Sequence, residues 1–79
     1  MQMVRKRYEL MDGCYGTVTG LGIQGAIITL DNGEDAFAYG FANLPIGSKV
    51  LCTVTREGSR TLQTEVSVDS VRSYAAFAA

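Results

Sequence analysis

Cys14-Tyr-Gly-Thr-Val-Thr-Gly-Leu-Gly-Ile-Gln-Gly-Ala-Ile-Ile-Thr-Leu-Asp31 is the stretch whose reading decides the fold. It alternates as two β-strands joined by a glycine-rich reversal. In the first strand, about residues 10–21, Cys14, Gly16 and Val18 share one face, and Tyr15, Thr17 and Thr19 share the other. In the second, about residues 24–30, Ala26, Ile28 and Leu30 oppose Ile27 and Thr29. β-Branched residues dominate both, as a pleated and half-buried strand favours. Gly16, Gly20, Gly22 and Gly25 stand where the strands must bend sharply, which is the style of a small coiled barrel.

Outward from this stretch the chain keeps the same rhythm. Asp31-Asn32-Gly33-Glu34 is a turn, because Asn and Gly tolerate the positive φ of tight hairpins. A third strand, about residues 35–41, alternates Phe37, Tyr39 and Phe41 with Ala36, Ala38 and Gly40. The aromatic set is expected to face the core, since alanines alone would not fill it. Asn43-Leu44-Pro45-Ile46-Gly47-Ser48 breaks the pattern as a loop. A fourth strand covers residues 49–56, with Val50, Cys52 and Val54 on one face and Leu51, Thr53 and Thr55 on the other. Glu57-Gly58-Ser59 reads as a hairpin loop. The fifth strand covers about residues 60–71, with Leu62, Thr64, Val66 and Val68 inward. Five closely spaced strands without a helix indicate an all-β chain, and a closed barrel removes the exposed edges such strands would leave. The organisation expected is a basic arm at 1–9, a barrel at 10–71 and a short tail at 72–79.

At 79 residues, with 47% apolar and 19% charged residues, the chain is an ordinary small globular domain. The formal net charge of −1 supplies no global field toward a polyanion or an anionic membrane, so such binding would need a local basic patch. No apolar run is long enough to span a membrane, and none of signal-peptide length follows the N-terminal charges, so a cytoplasmic location is expected. Histidine is absent, which removes the ordinary acid–base group near neutral pH. The acidic residues are scattered and mostly in turns, and the serines lack a base partner, so no enzyme and no cofactor is expected. Gly20-Leu21-Gly22-Ile23-Gln24-Gly25 matches G-x-G-x-x-G by letter but opens no helix, so it reads as a strand reversal. Two cysteines without C-x-x-C spacing indicate neither a disulfide scaffold nor a metal site.

The run Gly16 to Leu30, then Asp31-Asn-Gly-Glu-Asp-Ala-Phe37, then Leu44-Pro-Ile-Gly-Ser-Lys-Val50, resembles the ribosomal protein S-one type of RNA-binding domain over roughly residues 12–70. Leu30-Asp31-Asn32-Gly33 is also similar to the equivalent turn of bacterial initiation-factor-one barrels. The resemblance implies an OB-fold: a five-stranded antiparallel closed barrel of Greek-key type. In such a barrel the first and fourth strands are neighbours, so Cys14 and Cys52 would approach each other in the core as reduced thiols.

The resemblance also implies single-stranded RNA, or single-stranded DNA, as the partner. It places the RNA-facing aromatic positions at Gln24, Ile27 and Ala38, none of which is aromatic here. Asp35 stands where the family has glycine, and Arg60 matches a basic position at the start of the last strand. Tyr15 beside Ile27 and Thr29, Thr17 on the same face, Lys49 and Arg56 from the fourth strand, and the basic Arg5-Lys6-Arg7 are the available substitutes. The candidate interface is therefore Tyr15, Thr17, Gln24, Ile27, Lys49, Arg56 and Arg60, giving weak and sequence-tolerant binding. A different class stays open beside it. A barrel without those aromatics would serve as a protein-interaction or self-associating module, with Ile27 and Leu51 as contacts. Tyr74-Ala-Ala-Phe-Ala-Ala79 reads as a frayed end, and it also resembles the small-apolar C-termini that bacterial unfolding proteases engage.

Overall fold

The computed structural model describes residues 7–73. Arg5 and Lys6 of the basic arm, and the tail 74–79 with its degradation reading, lie outside the described residues. The elements are β1 (Gly13–Leu21), β2 (Gly25–Leu30), β3 (Asp35–Tyr39), β4 (Lys49–Arg56) and β5 (Thr64–Ser73). They close into a barrel in the order β1-β2-β3-β5-β4, with β4 returning to β1. Four seams are antiparallel, whereas β3 and β5 run parallel. The barrel is thus mixed and OB-like rather than antiparallel throughout. The reason is one of parity: successive strands reverse direction, so the two odd-numbered strands that close the cylinder must point the same way.

This path sorts the connections to two ends. One end holds the chain entry at 7–12, the turn 31–34 and the loop 57–63. The other holds the reversal 22–24 and the loop 40–48. The fifth strand begins at Thr64, later than the pattern suggests, because Ser59 to Leu62 form a turn of their own. There the Ser59 N–H donates to the Leu62 carbonyl at 2.7 Å, while Ser59 Oγ accepts from the Thr61 and Leu62 amides at 3.3 and 3.2 Å. Leu62, expected inward, is therefore exposed, whereas Thr64 and Val66 are buried.

The core consists of Cys14, Val18, Ala26, Ile28, Leu30, Ala36, Ala38, Val50, Cys52, Val54 and Val66. The inward faces expected for β1, β2 and β4 are observed. The one expected for β3 is reversed: Ala36 and Ala38 are fully buried, Phe37 is half-buried and Tyr39 is exposed. Phe41 has left the strand and packs against the core from the following loop. Barrel diameter falls with strand number, and five strands leave a narrow interior that must mix large with small side chains. The register shows the mixture. Val18 lies opposite Ile28, Ile28 opposite Ala36, and Ala26 opposite Ala38. Ile28 already fills the space that a ring at position 36 or 38 would need. Each fully buried aliphatic side chain here contributes about 1.5–3 kcal/mol, so the outward rings cost the core little it could have used.

The glycines serve the same tight closure. A Cβ at Gly25 would sit 2.1 Å from the Ala38 carbonyl oxygen, and one at Gly16 would sit 2.5 Å from the Ile28 Cγ2 methyl. Both values are well inside contact distance. At Gly25 the obstacle is backbone, which no rotamer change can clear. A Cβ at Gly22 would come no closer than 4.0 Å to the Gly25 carbonyl oxygen.

Cys14 and Cys52 are register partners across β1–β4, buried and reduced. Desolvation, with smaller contributions from nearby acidic charges, pushes the Cys14 thiol up to about 11. Desolvation likewise pushes Cys52 up to about 12.

Two outcomes follow from this packing. Gly25→Ala should lower stability by about 3 kcal/mol or more, at the upper end of overpacking costs, while Gly22→Ala stays near wild type in urea unfolding. Equal midpoints for the two variants would contradict the close β2–β3 approach. A thiol reagent at pH 8 should leave both cysteines unmodified in the native protein and label both in urea; rapid native labelling would show that they are not in the core.

Candidate nucleic-acid interface

Because β3 turns its alanines inward, its alternate residues Asp35, Phe37 and Tyr39 stand on the outside of the barrel. The register aligns them with outward residues of β1 and β2. One row runs Gly20, Ile27, Phe37, Glu65 and Arg56 across β1, β2, β3, β5 and β4. A second runs Lys49, Thr17, Thr29 and Asp35. Gly25 pairs with Tyr39 above the first row, and the Gly40 N–H donates to the Gln24 carbonyl at 2.8 Å.

The Phe37 and Tyr39 rings meet edge to face, with centroids 4.6 Å apart. Ile27 flanks them on β2 and remains 38% exposed, and Tyr39 is 55% exposed. The result is a small apolar platform with the reversal 22–24 at one end and the loop 57–63 at the other. Bases stack on such surfaces with little dependence on their identity.

Polar groups border the platform. Lys49 Nζ donates to Thr17 Oγ1 at 2.9 Å, and Thr29 Oγ1 donates to Asp35 Oδ1 at 2.8 Å. Arg60 is exposed at the tip of the turn that Ser59 closes. Arg56, expected to meet phosphate, is instead paired to Glu65 at 2.6 Å and donates to the Gln63 carbonyl at 2.9 Å. Lys49 and Arg60 are outside the ion pairs found among the described residues.

The seven expected interface residues therefore separate into groups. Gln24 and Ile27 border the platform, Arg60 stands exposed in the loop 57–63 at its end, and Arg56 lies beside it with its charge already matched. Tyr15, Thr17 and Lys49 form a neighbouring patch on β1 and β4. Tyr15 is not beside Ile27 and Thr29. A bulge between Val18 and Gly20 sets Gly20 against Ile27 and Thr17 against Thr29. Tyr15 instead lies next to Leu51, and its carbonyl accepts the Asp31 N–H at 2.9 Å. Ala38, one of the aromatic positions the resemblance implies, is inside the barrel and presents nothing outward. The residues that sequence reading missed are Phe37 and Tyr39. Strict alternation marked them as a same-face pair, but which face follows only from the β2–β3 register, in which inward Ile28 lies opposite Ala36.

Arg7, expected to be a free phosphate contact, is held at the barrel end. Its Nη2 donates to Glu34 Oε2 at 2.9 Å, and the same oxygen accepts the hydroxyl of buried Thr64. Thr64 Oγ1 in turn accepts the Gly58 N–H at 3.0 Å. Burial would raise the Glu34 carboxyl, but hydrogen bonds from Thr64, Arg7 and Asn32 outweigh it and hold it below its ordinary value. The Tyr8 hydroxyl donates to Asp31 Oδ1 alongside. That bond, with burial and the Asp31 charge, raises the phenol to about 12. This cluster ties the chain entry, the 31–34 turn and the start of β5 together, so its charges are engaged in holding the barrel shut.

Among the described residues no three His, Cys, Asp or Glu side chains gather as a metal site, and no helix is long and apolar enough to cross a membrane. No family model, no curated protein and no solved structure matches the chain.

The Glu34 cluster carries a pH signature. A carboxyl lowered by folding stabilises the native state above its unfolded value near 4.5, and that contribution is lost as pH falls through the folded value. The stability advantage of wild type over Glu34→Gln in urea unfolding should therefore be full at pH 7 and shrink as pH falls below that unfolded value of 4.5. An advantage independent of pH would contradict the assignment.

Proposed function

We propose that this barrel binds single-stranded nucleic acid, RNA in the first instance, on the outer face of β2 and β3. The observation that carries the reading is the outward pair Phe37 and Tyr39 beside Ile27, on a barrel whose loops flank the same face. The aromatic positions the family resemblance implies are empty at Gln24, Ile27 and Ala38, and the rings one residue to either side of Ala38 take over their task. Phosphates are met by Arg60 and by Lys49 of the neighbouring β1–β4 patch, both outside the ion pairs found among the described residues. Arg56 holds Glu65 in place instead.

The electrostatics set the character of the binding. Lys49 and Arg60 are offset by Asp35, and the chain as a whole carries −1. Stacking then supplies most of the affinity and counterion release little of it. With two phosphate contacts on a single strand, the slope of log K against log salt is about −1.4.

A second reading rests on a separate observation. Leu21, Ile23, Tyr39 and Ile46 are exposed and belong to, or border, the barrel end that holds the reversal 22–24 and the loop 40–48, and Ile23 is fully exposed. Such an apolar end suits docking on another protein or self-association. Leu51, the contact expected from the sequence, is half-buried beside Tyr15 and offers less.

Anisotropy of fluorescent single-stranded RNA, its DNA counterpart and a duplex decides between the two readings. Binding of the single strands with the shallow salt slope is expected. Tyr39→Ala should weaken it by about tenfold or more, as loss of one stacking ring does, while Tyr15→Ala leaves it nearly unchanged. Absence of binding at low salt and high protein concentration, with a mass in sedimentation that rises with concentration, would favour the protein-interaction reading instead.

A further inference from the structure

We infer that Asp35 makes the platform selective for guanine. The inference rests on the nucleic-acid reading of the β2–β3 face and adds a base preference to it. Asp35, Phe37 and Tyr39 are the three successive outward residues of β3, so the carboxylate is the next side chain along the strand from the Phe37 ring, about 6.6 Å away in backbone rise. A purine lying on that ring has one edge turned toward the carboxylate.

Its neighbours hold the carboxylate in a defined orientation. Thr29 Oγ1 donates its proton to Asp35 Oδ1 at 2.8 Å, so in the 3.0 Å contact between the Thr19 and Thr29 hydroxyls it is Thr19 that donates. This relay holds the carboxylate through Oδ1, and because each carboxylate oxygen can accept more than one hydrogen bond, both oxygens can still accept from a ligand. Asp35 is exposed and belongs to neither ion pair found among the described residues, so no guanidinium or ammonium competes for it. An unpaired carboxylate on this face repels phosphate, and it accepts hydrogen bonds without being able to donate one.

That chemistry separates the four bases. Guanine alone presents two adjacent N–H donors, N1–H and an N2 amino hydrogen, on its Watson–Crick edge, which matches the two oxygens of a carboxylate. Adenine and cytosine each offer one amino donor next to a ring-nitrogen acceptor, which faces the second oxygen with like polarity. Uracil offers one N–H between two carbonyls. Unstacked bases in single strands are read on this edge. A good bidentate pair discriminates by about tenfold or more.

The test uses heptamers of uridine whose central residue is guanine, adenine, cytosine, inosine or uridine, titrated into wild-type protein and Asp35→Asn. Inosine keeps N1–H and lacks the N2 amino group. Wild type should bind the guanine heptamer about tenfold tighter than the adenine, cytosine and uridine ones, with inosine between. In Asp35→Asn, whose amide oxygen can still accept from Thr29, the five should fall within about twofold of one another. Equal binding of all five by wild type would overturn the guanine assignment while leaving nucleic-acid binding intact. So would a guanine preference that survives in Asp35→Asn. Failure of every heptamer to bind would overturn the nucleic-acid reading and this inference with it.

Discussion

The narrowness of the five-stranded interior is the constraint on which the rest of this structure depends. A cylinder of so few strands cannot admit a full set of large side chains, so each inward position is chosen against its neighbours across the seams. Ile28, Leu30, Val18, Val50 and Val54 take the volume, and Ala26, Ala36, Ala38, Gly16 and the two cysteines yield it. Once β2 has placed Ile28 inside, β3 must turn its alanines to the same side. Period-two alternation then puts Asp35, Phe37 and Tyr39 outside together. The apolar platform is a consequence of core packing as much as of any selection on the surface.

The same economy shapes the charges. At one end of the barrel, Arg7, Glu34, Thr64 and Gly58 are linked in one hydrogen-bonded cluster with Tyr8 and Asp31 beside it, and on the side Arg56 is matched to Glu65. These groups join the chain entry, a turn and two strand ends that a small core alone would secure weakly. Few cations are left for a ligand. A face with two rings, two free cations and one oriented carboxylate suits a partner recognised by stacking and by base edges more than one held by its phosphates.

Much of this was legible in the residues alone. The stretch from Cys14 to Asp31 announced two strands and their inward faces, and Val18, Ala26, Ile28 and Leu30 are in the core. The closed five-stranded barrel followed from the repetition of that pattern. What misled was the habit of assigning rings to the core. Alternation states that Phe37 and Tyr39 share a face, but it does not state which one; the answer lies in Ile28 and Ala26 on the neighbouring strand, and hence in the register. The placement of Tyr15 failed for a related reason. Alternation puts Tyr15 on the outer face with Thr17, but only the register decides its neighbours, and the register sets Thr17 opposite Thr29 and leaves Tyr15 beyond the end of β2. The pairing of Arg56 with Glu65 was likewise hidden, because it joins neighbouring strands across a register shift between Val54 and Arg56.

The central claim is the facing of β3, and nuclear magnetic relaxation by a soluble gadolinium chelate tests it without altering the chain. The ring protons of Tyr39 should broaden strongly and those of Phe37 partly, while the methyl groups of Ala36 and Ala38 stay sharp. Broadened alanine methyls with protected rings would place the aromatics in the core and remove the platform on which the proposed function stands.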